Sequence, residues 1–319
     1  MQPCKTPVAL IIFNRPQEVT RMIDALRLAQ PERLLIIADG PRTETEKVLT
    51  DATRAVIEQV DWPCTIEKNY SEVNLGCKGR VRTGLDWVFE RVEAAIILED
   101  DCLPHPTFFP FCDEMLERYK NDTRVMSVAG VSFFEEFVQR NVRESYYFEL
   151  IPQMTGWATW RRAWQACDPT MSQWPALRDS GALAPVLNNP AMLERFTMVW
   201  DDYYHDRPSV RSSWEGPWVF GCMSRGAACI MPSVNLISNI GFNERGTHAK
   251  TDHPQANLPT HAMHFPLIHP KDVVINQKAD ALFLRYSLHV DEKWRYRLAR
   301  PVKNRFPGLY RALKRLLKP

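Results

Sequence analysis

No stretch of the 319-residue chain approaches the ~18 consecutive apolar residues of a membrane-spanning helix, so none is expected. The opening apolar run, Pro7-Val8-Ala9-Leu10-Ile11-Ile12-Phe13, stops at Asn14, Arg15 and Pro16. It reads as a first strand and not as an export signal. The eight cysteines contain no Cys-x-x-Cys pair and no zinc spacing, and without an export signal they are expected to be reduced thiols of the cytoplasm. A net charge of +2 gives no footprint for nucleic acid, and no such partner is expected. Internal repeats and low-complexity segments are absent. The stretch Asn74-Leu75-Gly76-Cys77-Lys78-Gly79-Arg80 lacks the Gly-Lys-Ser/Thr ending of a phosphate-binding P-loop.

What the chain does have is a hydrophobic content of 45%, enough for one large α/β domain or two smaller ones. Its first 130 or so residues alternate strand and helix patterns at short intervals, which predicts βα units and a mostly parallel sheet flanked by helices. Pro7 to Phe13, Arg33 to Ala38 and Cys64 to Asn69 read as strands. Pro16 opens a helix with Val19, Met22, Ile23 and Leu26 on one face. Thr43 and Glu46 have the spacing of a capping box, and Val48, Ala52, Ala55 and Val56 are the expected apolar stripe of the helix behind it. A third helix carries Val81, Leu85, Val88 and Val92 on its buried face. Beyond residue 131 the pattern loosens, and Trp157, Trp160, Trp164, Trp174, Trp200, Trp214 and Trp218 crowd a half expected to face substrate.

The stretch Ala94-Ala95-Ile96-Ile97-Leu98 followed by Glu99-Asp100-Asp101 is the most informative in the chain. A buried strand that ends in adjacent carboxylates must hydrate them, pair them or bind a cation. Hard oxygen ligands select Mg2+ or Mn2+, ions that commonly bridge one or two carboxylates to the phosphates of a nucleotide. Asp101 is the expected metal ligand with Glu99 in support, and Asp100 is placed on the nucleotide ribose or the same metal. Open α/β sheets bind ligands beyond the carboxyl ends of their strands, where Asn14-Arg15-Pro16 and Asp39 also fall. Lys78 and Arg80, in a helix first turn where acids are usual, offer contacts to a diphosphate. Ser213-Trp214-Glu215-Gly216-Pro217-Trp218 places a carboxylate between aromatic rings, as a base over a sugar-binding floor would be, or as an ordinary core turn would be. Ser238 to His248 is glycine-flanked and polar like a mobile lid, with His248 able to meet phosphate or metal.

In series, Phe13-Asn14-Arg15-Pro16, Ala38-Asp39-Gly40, Asn74-Leu75-Gly76, Glu99-Asp100-Asp101, Gly156-Trp157-Ala158-Thr159-Trp160, Trp214-Glu215 and Ser238 to His248 resemble the GT-A fold glycosyltransferases of the nucleotide-diphospho-sugar transferase superfamily. The likeness is to the N-acetylglucosaminyltransferase I type and its bacterial relatives, over roughly residues 5 to 260. It implies a GT-A-like fold with a nucleotide-sugar-binding half (1–131), an acceptor-binding and catalytic half of the same domain (132–266), and a C-terminal extension (267–319). It further implies Mn2+ on Asp101, nucleoside contacts from Asn14, Arg15 and Asp39, Glu215 as catalytic base, and Trp157, Trp160, Trp214 and Trp218 against the acceptor. Where the family's motif typically has Asp, this chain has the longer Glu215. The implied reaction moves a sugar, from a UDP-sugar by preference, to a hydroxyl of a glycan or glycolipid. The rivals are a sugar-1-phosphate nucleotidyltransferase, for which Asn14-Arg15-Pro16 lacks the glycine-rich basic loop, and a non-catalytic carbohydrate-binding module, which leaves the acids unexplained.

Residues 291–319 are strongly basic, and within them Leu309, Ala312, Leu313 and Leu316 share one helical face while Arg311, Lys314, Arg315 and Lys318 share another. Such a helix suits an anionic membrane surface, so peripheral attachment to the inner membrane is expected.

Overall fold

The computed structural model describes residues 3–242 and 256–288. The first half contains β1 (Val8–Ile12), α1 (Pro16–Ala29), β2 (Arg33–Ala38), α2 (Glu44–Val56), β3 (Thr65–Tyr70), α3 (Gly76–Arg91) and β4 (Ala94–Glu99). There follow β5 (Cys102–Pro104), α4 (Phe108–Arg118), β6 (Val125–Ala129), α5 (Glu135–Asn141), β7 (Tyr146–Glu149) and β8 (Trp157–Trp160). Five helices come next: α6 (Arg161–Ala166), α7 (Trp174–Ser180), α8 (Leu183–Leu187), α9 (Pro190–Tyr204) and α10 (Glu215–Met223). The described chain closes with β9 (Ala228–Pro232), β10 (Ile237–Asn239) and α11 (Gln277–Tyr286).

Eight strands form one mixed sheet in the order β3-β2-β1-β4-β8-β6-β9-β7, and β5 pairs with β10 beside it. From β3 to β4 all pairings are parallel; β8 then runs antiparallel to β4. The protein is therefore an α/β protein whose sheet continues unbroken across residue 131. Side chains alternate along each strand, so Val8, Leu10 and Ile12 join a core with α1 and α4, while Ala9 and Ile11 join another with α3, α6 and α10. Burial on both faces explains the unbroken apolar runs that mark β1, β2 and β4 in the sequence.

Helix α2 corrects an expectation. Thr43 accepts from the Glu46 amide at 3.1 Å, as the capping box predicts, but Val48 is 70% exposed and Ala52 and Ala55 are also outside. The buried face carries Thr50, Thr53 and Val56. The two threonine hydroxyls donate to the Lys47 and Leu49 carbonyls of their own helix, which satisfies them and lets their methyl groups pack like those of valine.

Candidate functional site

The chain leaves β1 toward β2 and β3 on one side and returns through α3 to β4 on the other, so β1 and β4 flank the point where the strand order reverses. Crevices at such points, beyond the carboxyl ends, are where open α/β sheets take ligands. Here the crevice is lined by acids. Arg15, at the entrance to α1, reaches Asp100 at 2.9 Å and Asp101 at 3.0 Å through one nitrogen, and the Phe13 amide donates to Asp100 at 3.3 Å. Arg15 is thus held across two aspartates, a different engagement from the expected nucleoside contact. Burial pushes Asp100 up to about 7 against the pull of Arg15, with Asp101 adding to the rise. Glu99 is driven well above the usual carboxylate range, first by burial and then by the charges of Asp101, Glu215 and Asp100. Several carboxyl groups share this crevice with one guanidinium.

Asp39 lies at the end of β2 and is buried. One oxygen accepts from the Gly40 and Leu75 amides, each at 2.9 Å, which ties the β2 end to the turn that starts α3. Asn74 donates to the Gly40 carbonyl at 2.7 Å, and a β-carbon on Gly40 would strike the backbone of Glu72 and Val73. Asn14 donates to Glu46 at 2.9 Å, while Arg42 holds that carboxylate down at about 2. Asn14 and Asp39 therefore lie on adjacent strand ends, each with a protein partner in place.

Glu215 comes from the other half of the chain. It is the first residue of α10, and its charge is felt at Glu99 and at the thiol of Cys77, which also feels Glu99, Asp39 and Asp101. The fold thus gathers five expected site residues, Asp39, Glu99, Asp100, Asp101 and Glu215, with Arg15 among them. Cys77 escaped sequence reasoning because a single cysteine in a basic stretch carries no signature. The β10 strand ends beside the same acids: the Ile240 amide donates to the Asp101 carbonyl at 2.8 Å, and a β-carbon on Gly241 would run into the Asp101 carboxylate. The segment expected to form a lid therefore departs from Asp101, while His248 itself lies outside the described residues.

The expected diphosphate contacts differ in place. Arg80 is buried, with its guanidinium on the Ala38 carbonyl at 3.0 Å and on both oxygens of Asn69, so it fastens the ends of β2 and β3 together instead of facing a ligand. Lys78 remains at the surface and pairs with Asp206 at 2.8 Å. The expected acceptor floor is also corrected. Trp157, Trp214 and Trp218 are buried with Trp164 in the core on the α3 side of the sheet, ring centroids 5.1 to 6.5 Å apart. Trp160 lies at the far end of the sheet, opposite Ala94, and lines a cavity of about 880 Å³ with Lys5, Arg33 and Glu114. Indole rings bury more apolar area than any other side chain, and in this chain that area is spent on the core.

Among the described residues no three His, Cys, Asp or Glu side chains are grouped so as to hold a metal by themselves. The donor set nevertheless fits a hard divalent ion that takes part of its coordination from a substrate, since it offers only carboxylate oxygens, and a cation would relieve the burial and the neighbouring acids that hold Glu99 above the usual carboxylate range. Glu99 and Asp101 are the residues that would hold it.

No protein-family model and no curated protein matches the sequence. Among solved structures the chain is similar to a UDP-glucose pyrophosphorylase complexed with UDP-glucose, at 13% identity and a TM-score of 0.26, over 46% of this chain and 62% of that one. It thus spans less than two thirds of the pyrophosphorylase's length. It is also similar to mouse xyloside xylosyltransferase 1 in the apo form, at 14% identity and a TM-score of 0.32, over 68% of this chain and 81% of that one. Likenesses this distant do not bear on activity.

Proposed function

We propose that the protein is a metal-dependent glycosyltransferase that moves a sugar from a nucleotide diphosphate, UDP by preference, to an acceptor hydroxyl with inversion. The observation that carries the reading is the convergence of Glu215, from α10, on the acids that end β4 at the switch point of the sheet. In this reading Glu215 takes the proton of the acceptor hydroxyl as its oxygen bonds to the anomeric carbon. The bond from that carbon to the diphosphate oxygen breaks, and the nucleoside diphosphate leaves with the electron pair. A divalent ion held by Glu99 and Asp101 would supply charge stabilisation to the leaving diphosphate. Asp39 and Asn14 would border the nucleoside, and Lys78 and His248 the phosphates. Arg15 orients Asp100 and Asp101 at the crevice.

Incubation with a panel of sugar nucleotides and Mn2+ or Mg2+ tests the proposal through slow donor hydrolysis. Release of nucleoside diphosphate is the expected result. In a parallel incubation with nucleoside triphosphates and a sugar 1-phosphate, release of pyrophosphate would point instead to a nucleotidyltransferase, and no product in either incubation would reject a sugar-nucleotide enzyme. Glu215→Gln is expected to lower transfer by ~10²- to 10⁴-fold with donor binding retained, the usual contribution of a positioned base. Unchanged turnover would remove Glu215 from that role.

A further inference from the structure

Glu215 is held by a chain of two hydroxyl groups that no other part of the crevice uses. Ser213 donates its hydroxyl proton to Oε2 of Glu215, and the Tyr203 hydroxyl lies 2.5 Å from the Ser213 oxygen. Because Ser213 has one proton and gives it to the carboxylate, its oxygen is left to accept from Tyr203. The order of donation is therefore Tyr203 to Ser213 to Glu215. The N-cap position of α10 is Trp214, which makes no side-chain cap, and Ser213 just before it directs its hydroxyl to the carboxylate.

The surroundings fit this use. Tyr203 is in the last turn of α9, and its ring lies so close against Gly216 that a β-carbon there would overlap it. The intervening segment is braced by the Arg207 amide on the Asp202 carbonyl at 2.8 Å, by the Ser213 amide on the Val210 carbonyl at 3.0 Å, and by Asp206 on Lys78 of α3. Oε1 of Glu215 has no protein hydrogen bond among the described residues, so one oxygen is anchored and the other is left for a reactant. Without an anchor, the carboxylate at the helix start would be free to take other rotamers.

We infer that Ser213 and Tyr203 are positioning residues for Glu215, fixing its carboxylate at the crevice by a directed pair of hydrogen bonds. The inference rests on the reading of Glu215 as the base. Two measurements keep the two claims separate. In a crystal structure of Ser213→Ala, Glu215 is expected to leave the rotamer it holds in the parent protein, and in Ser213→Thr to keep it. An unmoved Glu215 in the alanine variant would overturn the inference whatever the activity. In kinetics, Ser213→Ala is expected to lower kcat about 10- to 100-fold, the range of a hydrogen bond to a charged group, with donor KM and Tm unchanged. Tyr203→Phe, which keeps the ring on Gly216, is expected to show a smaller loss of kcat, and Ser213→Thr to recover activity. Equal kcat in Ser213→Ala and the parent would overturn the inference if Glu215→Gln is impaired. If Glu215→Gln is as active as the parent, the base assignment fails instead.

Discussion

Arg15 has to balance two aspartates with one nitrogen, and the imbalance of charge around it sets what single residues should do. In the proposed reading Asp101 holds the metal: both aspartates accept from Arg15, but Asp100 accepts from the Phe13 amide as well. Asp101→Ala is expected to abolish transfer, and sugar transfer at the parent rate would sink the metal assignment. Cys77 supplies an independent probe. Partial desolvation of the thiol beside the acids, then the charges of Glu99, Glu215, Asp39 and Asp101, push it up to about 12, so little of the reactive thiolate exists at neutral pH. Peptide-resolved labelling with iodoacetamide at pH 7.5 is expected to find Cys77 slow although the residue is exposed. Added Mg2+ should accelerate labelling several-fold by offsetting the negative charge. A rate indifferent to millimolar Mg2+ would argue against a cation on Glu99 and Asp101.

At the scale of elements, α11 docks on the edge of the sheet through two buried carboxyl groups. Asp280 accepts from the Leu150 amide at 3.1 Å and the Ile151 amide at 3.3 Å, and Glu149 accepts from Tyr147 at 2.9 Å. Burial raises Glu149 to about 8, with Asp280 adding to the rise, and burial raises Asp280 to about 6. The folded state therefore keeps protons that the unfolded chain releases above its ordinary carboxylate range, roughly pH 4. This contribution to stability is complete below that pH and is lost as pH rises through about 8. Urea unfolding at pH 5 and pH 9 should show the parent losing on the order of 2 kcal/mol more than Glu149→Gln, which has no proton to give up. Parallel losses in both proteins would remove the pair from that role. Helix α2 shows the same principle in milder form, because side chains that satisfy their own polar groups can occupy a buried face without looking apolar.

At the scale of the whole molecule, strand order brings the β1, β2 and β4 ends together, and residues 291–319 lie outside the described part. No described helix is long and apolar enough to cross a membrane. If the basic, amphipathic pattern of that segment attaches the protein to an anionic surface, truncation before residue 291 should abolish co-sedimentation with phosphatidylglycerol vesicles; undiminished binding would overturn the idea. The apolar runs alone mark β1, β2 and β4 as buried strands, since strands covered on both faces read as continuous apolar runs and Glu99-Asp100-Asp101 stands out at the end of one. The Thr43 and Glu46 spacing also marks where α2 begins. Which side chains meet is set by the three-dimensional packing. It assigned Arg80 and the tryptophans to internal packing, and it brought Cys77, Ser213, Tyr203 and Glu215 toward the β4 acids from three separate elements and a loop. The reason is physical: periodicity along a chain reports which face of an element is buried, whereas hydrogen bonds and charge interactions depend on distances between segments far apart in sequence.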